Sequence, residues 1–232
     1  MLTGEVGAGK TTVCRAFLNR LEPATKVAVI TNTRLTERQL LQAICEEFGL
    51  WIPGNVGKVT LFNELNTFLV DQFRQGSNVA LVVDEAQNLR PEVLEEIRLI
   101  SNLETERDKL IQIVLMGQPE LRDIMDLPEL KQLKQRIALR FHIHPLSDKE
   151  SQAYVFHRLK VAGADGSLKF SRGALKAIFE YSGGIPRVIN IVCDNALLLG
   201  FVQETKKISE ELILEVVRDL EGSREHAPQQ GA

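Results

Sequence analysis

The sequence predicts an α/β core with a parallel five-stranded sheet, followed by an all-α domain. Three observations lead there. Short apolar runs alternate with helical periodicity up to about Pro145. The middle three runs are near-continuously apolar rather than alternating, as in parallel strands covered on both faces. After Pro145 the strand signals stop while helix-start signals continue.

The expected strands are Leu2–Thr3, Lys26–Thr31 (KVAVIT), Asn78–Val83 (NVALVV), Leu110–Met116 (LIQIVLM) and Arg140–His144 (RFHIH). The helices between them carry their own punctuation. Thr36 with Gln39 forms a capping box ahead of Leu40, Leu41, Ile44, Cys45 and Phe48, and Gly49 ends that run. Leu61, Leu65, Phe68, Leu69 and Phe73 make an apolar stripe that stops at Gly76. Pro91 suits the first turn of a helix with Val93, Leu94, Ile97 and Ile100 on its inner face. Beyond Pro145, Ser147 with Glu150, Ser171, Pro186 and Ser209 read as four helix starts. A boundary near Leu146 therefore divides a core, residues 1–146, from a helical domain, residues 147–220. Residues 221–232 (EGSREHAPQQGA) hold almost no apolar side chains and are expected to form a flexible tail.

Composition sets bounds on function. The 232 residues are 44% hydrophobic and 25% charged, which fits a globular chain with a real core. A net charge of −3 gives no global electrostatic case for nucleic acid. Cys14, Cys45 and Cys193 lie far apart without metal spacing, and each sits among apolar residues, as buried thiols in a reducing cytosol would. No apolar run approaches the ~20 residues needed to span a bilayer, and the N-terminus lacks a charged-then-apolar signal pattern.

Gly4-Glu5-Val6-Gly7-Ala8-Gly9-Lys10-Thr11, followed by Thr12, matches G-x-x-x-x-G-K-[ST] at every fixed position. Glycines let such a backbone curl until several N–H groups point at phosphate oxygens, and the following helix adds the positive end of its dipole. Lys10 is then the ligand of the β- and γ-phosphates, and the Thr11 hydroxyl a ligand of Mg²⁺. A second glycine–lysine stretch, Gly54–Thr60 (GNVGKVT), has the wrong spacing and no strand before it, and reads as a turn into a helix.

Asp84 and Glu85 close the third apolar run. Two adjacent acids at the end of a buried strand need a reason: Asp84 to hold Mg²⁺ and Glu85 to orient and deprotonate a water. Gln118 ends the next strand, where open α/β sheets collect ligand-contacting groups, and could steady that water. His142 and His144 alternate on one strand without an acidic or thiol neighbour in sequence and read as packing residues.

Loop, acid pair, the polar residue on the next strand and the later stretch SGGIPRVIN together resemble the AAA+ class of P-loop NTPases, with an α-helical lid after the core. The resemblance implies ATP and Mg²⁺ as ligands, Gln118 as sensor 1, and Arg187 as the lid residue that reaches the γ-phosphate. It implies an arginine finger, Arg136 or Arg140, acting on a neighbouring copy in a homo-oligomer. Asn32, ending the second strand, either restrains the catalytic glutamate, as its counterpart does in that class, or caps a turn. At finer grain, LTGEVGAGKTT, VVDEAQNL, MGQPEL, QRIALRFHIHPLS and SGGIPRVINIVCDNALLL are similar to the ExeA-type family, general secretion pathway protein A. That similarity implies a cytoplasmic ATPase module, in some members followed by a membrane span and a peptidoglycan-binding segment, which assists assembly of an outer-membrane secretin in type II secretion. Transposition and exosortase-linked ATPases share the same core and imply instead a nucleotide-switched assembly factor acting on DNA or protein. Lys131, Lys134, Arg136 and Arg140 would be its DNA surface, though interleaved aromatics for base stacking are absent. Only Met1–Thr3 precede the loop, so we expect a fragment short of a leading helix and half of its first strand, with weak affinity for adenine.

Overall fold

The computed structural model describes residues 1–225, except 53 and 55. It divides into two compact units: Met1–Val6 with Lys10–Ile143, and Gly7–Gly9 with the residues from His144 onward.

The first unit is an α/β core. Its elements in order are β1 (Leu2–Gly4), α1 (Lys10–Leu18), β2 (Lys26–Ile30), α2 (Glu37–Glu47), α3 (Lys58–Arg74), β3 (Val79–Val83), α4 (Pro91–Ser101), β4 (Gln112–Gly117), α5 (Glu120–Met125), α6 (Lys131–Arg136) and β5 (Phe141–Ile143). The five strands form one parallel sheet in the order β2-β3-β4-β1-β5. Each expected strand is present: β2, β3 and β5 are a residue shorter at one or both ends, β4 starts two residues later and runs on to Gly117, and β1 runs on to Gly4. β3 is buried along its whole length, which is why it reads as five aliphatic residues without alternation. Although short, β1 is not at an edge. Leu2 and Thr3 pair with Met116 and Gly117 on one side, and Leu2–Gly4 with Phe141–Ile143 on the other.

Helix boundaries follow side-chain chemistry. Thr36 Oγ1 accepts the Gln39 N–H at 3.3 Å while Gln39 Oε1 accepts the Thr36 N–H at 2.9 Å, a reciprocal cap worth about 1 kcal/mol. Leu40, Leu41, Ile44 and Cys45 of α2 and Leu61, Leu65 and Leu69 of α3 are fully buried, and the Phe48 and Phe68 rings pack with centroids 5.0 Å apart. The stripe on α3 departs from expectation at its end. Phe73 is exposed and Gln72 is buried in its place, because the apolar face rotates about the helix within its last turn. On α4 the expected face is inside, joined by Glu96, whose carboxylate pairs with Lys58 at 2.5 Å.

The second unit holds α7 (Asp148–Val161), α8 (Arg172–Ser182), α9 (Pro186–Val202) and α10 (Glu210–Glu225). Ser147, Ser171 and Ser209 accept N–H groups of the first turns of α7, α8 and α10, and Pro186 opens α9. Val155, Ile178, Ile189, Val192, Ile208 and Ile213 are among the residues that form its core. A two-residue parallel pair, β6 (Lys169–Phe170) and β7 (Lys207–Ile208), is present as well; strands so short leave no periodicity to read. Leu146 N–H donates to the Gly184 carbonyl at 2.9 Å, and a side chain at Gly184 (φ +78°) would overlap the Leu146 backbone. Helix α10 runs on to Glu225, past Leu220, where the tail was expected to start; residues 226–232 lie outside the described residues. No helix among the described residues is long and apolar enough to cross a membrane.

Candidate nucleotide site

The site lies at the carboxyl ends of the strands, where open parallel sheets hold their ligands. Strand β1 delivers the loop Gly4–Gly9, and α1 begins at Lys10. Gly7 and Gly9 have φ of +81° and +101°, a region that side chains disfavour, and these two residues turn the backbone into its curl. Ala8 is buried, while Glu5 and Val6 are exposed. Lys10 is only 6% exposed. Its Nζ donates to the carbonyls of Gly4 at 2.8 Å and Glu5 at 3.2 Å, so its charge is fixed beneath the loop. Thr11 and Thr12 follow in the first turn of α1, both exposed.

Strand β3 delivers the acids. Asp84, 8% exposed, is anchored by its N–H to the Ile30 carbonyl, and its Oδ1 accepts the Glu85 N–H at 2.9 Å. Its other oxygen, Oδ2, accepts the Thr11 hydroxyl at 3.2 Å. Glu85 has left-handed backbone angles (φ 52°, ψ 38°), costly for a residue with a Cβ, and this kink ends β3 and turns the chain into the short helical turn Ala86–Asn88. Its Oε2 accepts Gln87 Nε2 at 2.7 Å and Gln118 Nε2 at 3.3 Å. These amides, the Gln87 bond first, together with the nearby Lys10 charge, hold the Glu85 carboxyl below the usual carboxylate range despite partial burial. Glu85 is thus an anion at neutral pH, with its orientation fixed.

The other expected residues fall as follows. Gln118, at the end of β4, meets Glu85 as just described. Asn32 is exposed and its Oδ1 accepts the Arg34 N–H at 3.2 Å, a local turn. Arg136, ending α6, reaches the Ser101 carbonyl at 3.4 Å, and Arg140, just before β5, the Lys134 carbonyl at 2.7 Å; both are exposed. A recess of about 350 Å³ beside β5 is lined by Arg122, Asp126, Lys134 and Arg140, with Lys134 ion-paired to Asp126. Arg187 lies in the first turn of α9, and its N–H donates to the Gly7 carbonyl at 3.3 Å.

Two participants escaped sequence reasoning. Gln87 stands two residues past the acid pair, and only its place in that turn, not its spacing, marks it. Thr3 is fully buried just before the loop; its hydroxyl accepts Arg122 Nε at 3.1 Å and lies 3.0 Å from His142 Nδ1.

A curled phosphate loop on an interior strand, one strand removed from an acid pair, defines the class as a P-loop nucleotide-binding module of the AAA type. Residues 1–125 match the model of the AAA domain family, and the chain belongs to that family. It is 48% identical over 208 residues to general secretion pathway protein A of Aeromonas hydrophila, a match covering 90% of this chain and 38% of that protein. Among solved structures, the fold is shared with the ADP form of the ORC2 protein of Aeropyrum pernix and with Cdc6p of Pyrobaculum aerophilum. For the first, the TM-score is 0.68 and the identity 18%, over 94% of this chain and 61% of that one. For the second, the TM-score is 0.71 and the identity 18%, over 94% of this chain and 59% of that one.

Proposed function

We propose that this chain binds ATP with Mg²⁺ and hydrolyses it, as the ATPase module of a protein that assists secretin assembly in a type II secretion pathway. The observation that carries the reading is the meeting of the Thr11 hydroxyl with Asp84 at 3.2 Å, beside a Glu85 carboxylate already oriented by two amides. The ammonium of Lys10, held by loop carbonyls, is within a small movement of the phosphates such a loop would cradle. Thr11 and Asp84 offer the hard oxygen donors that suit Mg²⁺, which when bound offsets charge on the phosphate oxygens. Glu85, ionised at neutral pH, accepts a proton from the attacking water, and the Gln118 amide fixes the angle of that carboxylate. An exposed arginine, Arg136 or Arg140, acts on the site of a neighbouring copy, and Arg187 senses the γ-phosphate. A finger in trans is worth about 10³–10⁵ in rate in related phosphoryl transfer, so a lone subunit should be nearly inactive.

The secretion role rests on the likeness to the Aeromonas protein, of which this chain spans 38%. Since the nucleotide is cytoplasmic, we place the module on that side of the inner membrane. The test is phosphate release by the wild type and by Lys10→Ala across a range of protein concentration. Turnover that rises more than linearly with concentration and vanishes in Lys10→Ala supports the reading. Turnover retained in Lys10→Ala ends it. For the pathway, secretin multimers should fail to form in cells carrying only Lys10→Ala, and normal multimers there would remove the secretion assignment.

A further inference from the structure

Gln87 touches both sides of the hydrolytic site. Its Nε2 donates to Glu85 Oε2 at 2.7 Å, and its Oε1 accepts the backbone N–H of Gln118 at 3.0 Å. Chemistry fixes which end of the amide faces which partner. A backbone N–H can only donate and an ionised carboxylate can only accept, so the reversed amide would set donor against donor and acceptor against acceptor. The same oxygen lies where a side chain at position 117 would begin: a Cβ on Gly117 would sit 2.7 Å from Gln87 Oε1 and 2.9 Å from Leu121. The end of β4 is therefore cut back to glycine where the Gln87 amide crosses it. Gln118 uses its backbone to hold Gln87 and its side chain to hold Glu85, closing a loop of three residues. Both amides converge on Oε2, so that among the described residues the donors to this carboxylate leave Oε1 for a water.

We propose that Gln87 is a positioning residue for hydrolysis. It ties the Glu85 carboxylate to the end of β4, so that a shift of Gln118 is passed to Glu85 through one rigid amide. The inference rests on Glu85 being the base proposed above. It assigns Gln87 no contact with nucleotide, and its loss should leave binding intact.

The experiment compares Gln87→Met, which keeps length but neither donates nor accepts an amide hydrogen bond, and Gln87→Glu, which keeps the acceptor and removes the donor. Each is also placed in a Glu85→Gln background. In single turnovers at saturating protein, kcat should fall about a hundredfold in both variants, the scale on which a misplaced catalytic group slows a reaction, with ATP affinity and KM within about twofold of wild type. In the Glu85→Gln background the same substitutions should cost nothing further, because the group that Gln87 positions is gone. An undiminished cost there, or a loss of affinity in step with kcat, would assign Gln87 a merely structural role and overturn the proposal. Hydrogen exchange at the Gln118 amide gives an arm independent of turnover. Exchange should speed up in Gln87→Met and stay near wild type in Gln87→Glu, and unchanged protection in Gln87→Met also overturns the proposal. If wild type shows no turnover while Gln87→Met still loses that protection, the hydrolysis reading has failed and the clamp has not.

Discussion

The Thr11 hydroxyl donates to Asp84 at 3.2 Å across the end of a strand to which neither residue belongs. Strand β4 lies between β1, which carries the loop, and β3, which carries the acid, so the two groups reach each other from strands that are not neighbours. Thr11→Val keeps the shape and removes the hydroxyl; Asp84→Asn keeps the shape and removes the charge. Both should abolish the gain in ATP affinity that Mg²⁺ confers and slow turnover by about a hundredfold or more, whereas Mg²⁺-free nucleotide binding persists. Titrations with and without EDTA measure this. Full Mg²⁺ stimulation in both variants would detach these residues from the metal.

Glu85 holds a backbone conformation that suits glycine better than glutamate. Glu85→Gly should relieve about 1 kcal/mol of left-handed strain, and the half-buried amides of Gln87 and Gln118 can turn to water. The variant should therefore unfold no earlier than wild type in a thermal melt while releasing no phosphate. A melt several degrees lower would mean that the hydrogen bonds, and not the kink, dominate.

Arg136 and Arg140 are both exposed and both close to β5. A finger given to a neighbour makes loss-of-function variants complementary. Lys10→Ala retains its finger and lacks a working site, and the correct arginine-to-alanine variant is its reverse. Mixed, the two should recover measurable turnover that neither has alone, and the arginine whose variant complements is the finger. Failure of both mixtures would point to a finger in cis or to none.

Burial, aided by Glu64 and Glu46, pushes the Cys45 thiol to about 11, and burial with Asp194 pushes Cys193 to about 12, from an ordinary 9.0. Both stay protonated at neutral pH, so iodoacetamide should alkylate them far more slowly in the folded chain than in urea. The folded values lie above the unfolded one. The stability these thiols contribute is thus whole below pH 9.0 and is lost as pH climbs from there through 11 and 12. Melting temperature should drop across that window, and less steeply in Cys45→Ala with Cys193→Ala. Rapid alkylation of the native chain at pH 8 would contradict the burial.

The strands and helix starts were legible because each rests on local chemistry. An uninterrupted aliphatic run such as Val79–Val83 has one low-energy use, and Thr36 with Gln39, or Ser147 with Glu150, caps a helix from within four residues. The loop and acids were legible because phosphate chemistry fixes both residue type and spacing. Strand order was not read, since Leu2–Thr3 alone carries no sign that it lies between β4 and β5. Gln87 was missed for a related reason: its two partners lie on either side of it in three dimensions, and Gln118 is 31 positions away. At Asn32 the sequence allows two readings, and the Arg34 N–H two residues on, accepted by its Oδ1, agrees with the turn. Phe73 and Gln72 show that a helical stripe extrapolates poorly over its last turn.

The missing side chain at position 117 has an evolutionary consequence. An alanine there would crowd both the Gln87 carboxamide oxygen and the Leu121 side chain, so position 117 is not free to gain a side chain while those two stay where they are. Lineages descended from this chain should lose the glycine only together with, or after, changes at Gln87 and Leu121, leaving linked substitutions as the historical trace of one crowded strand end.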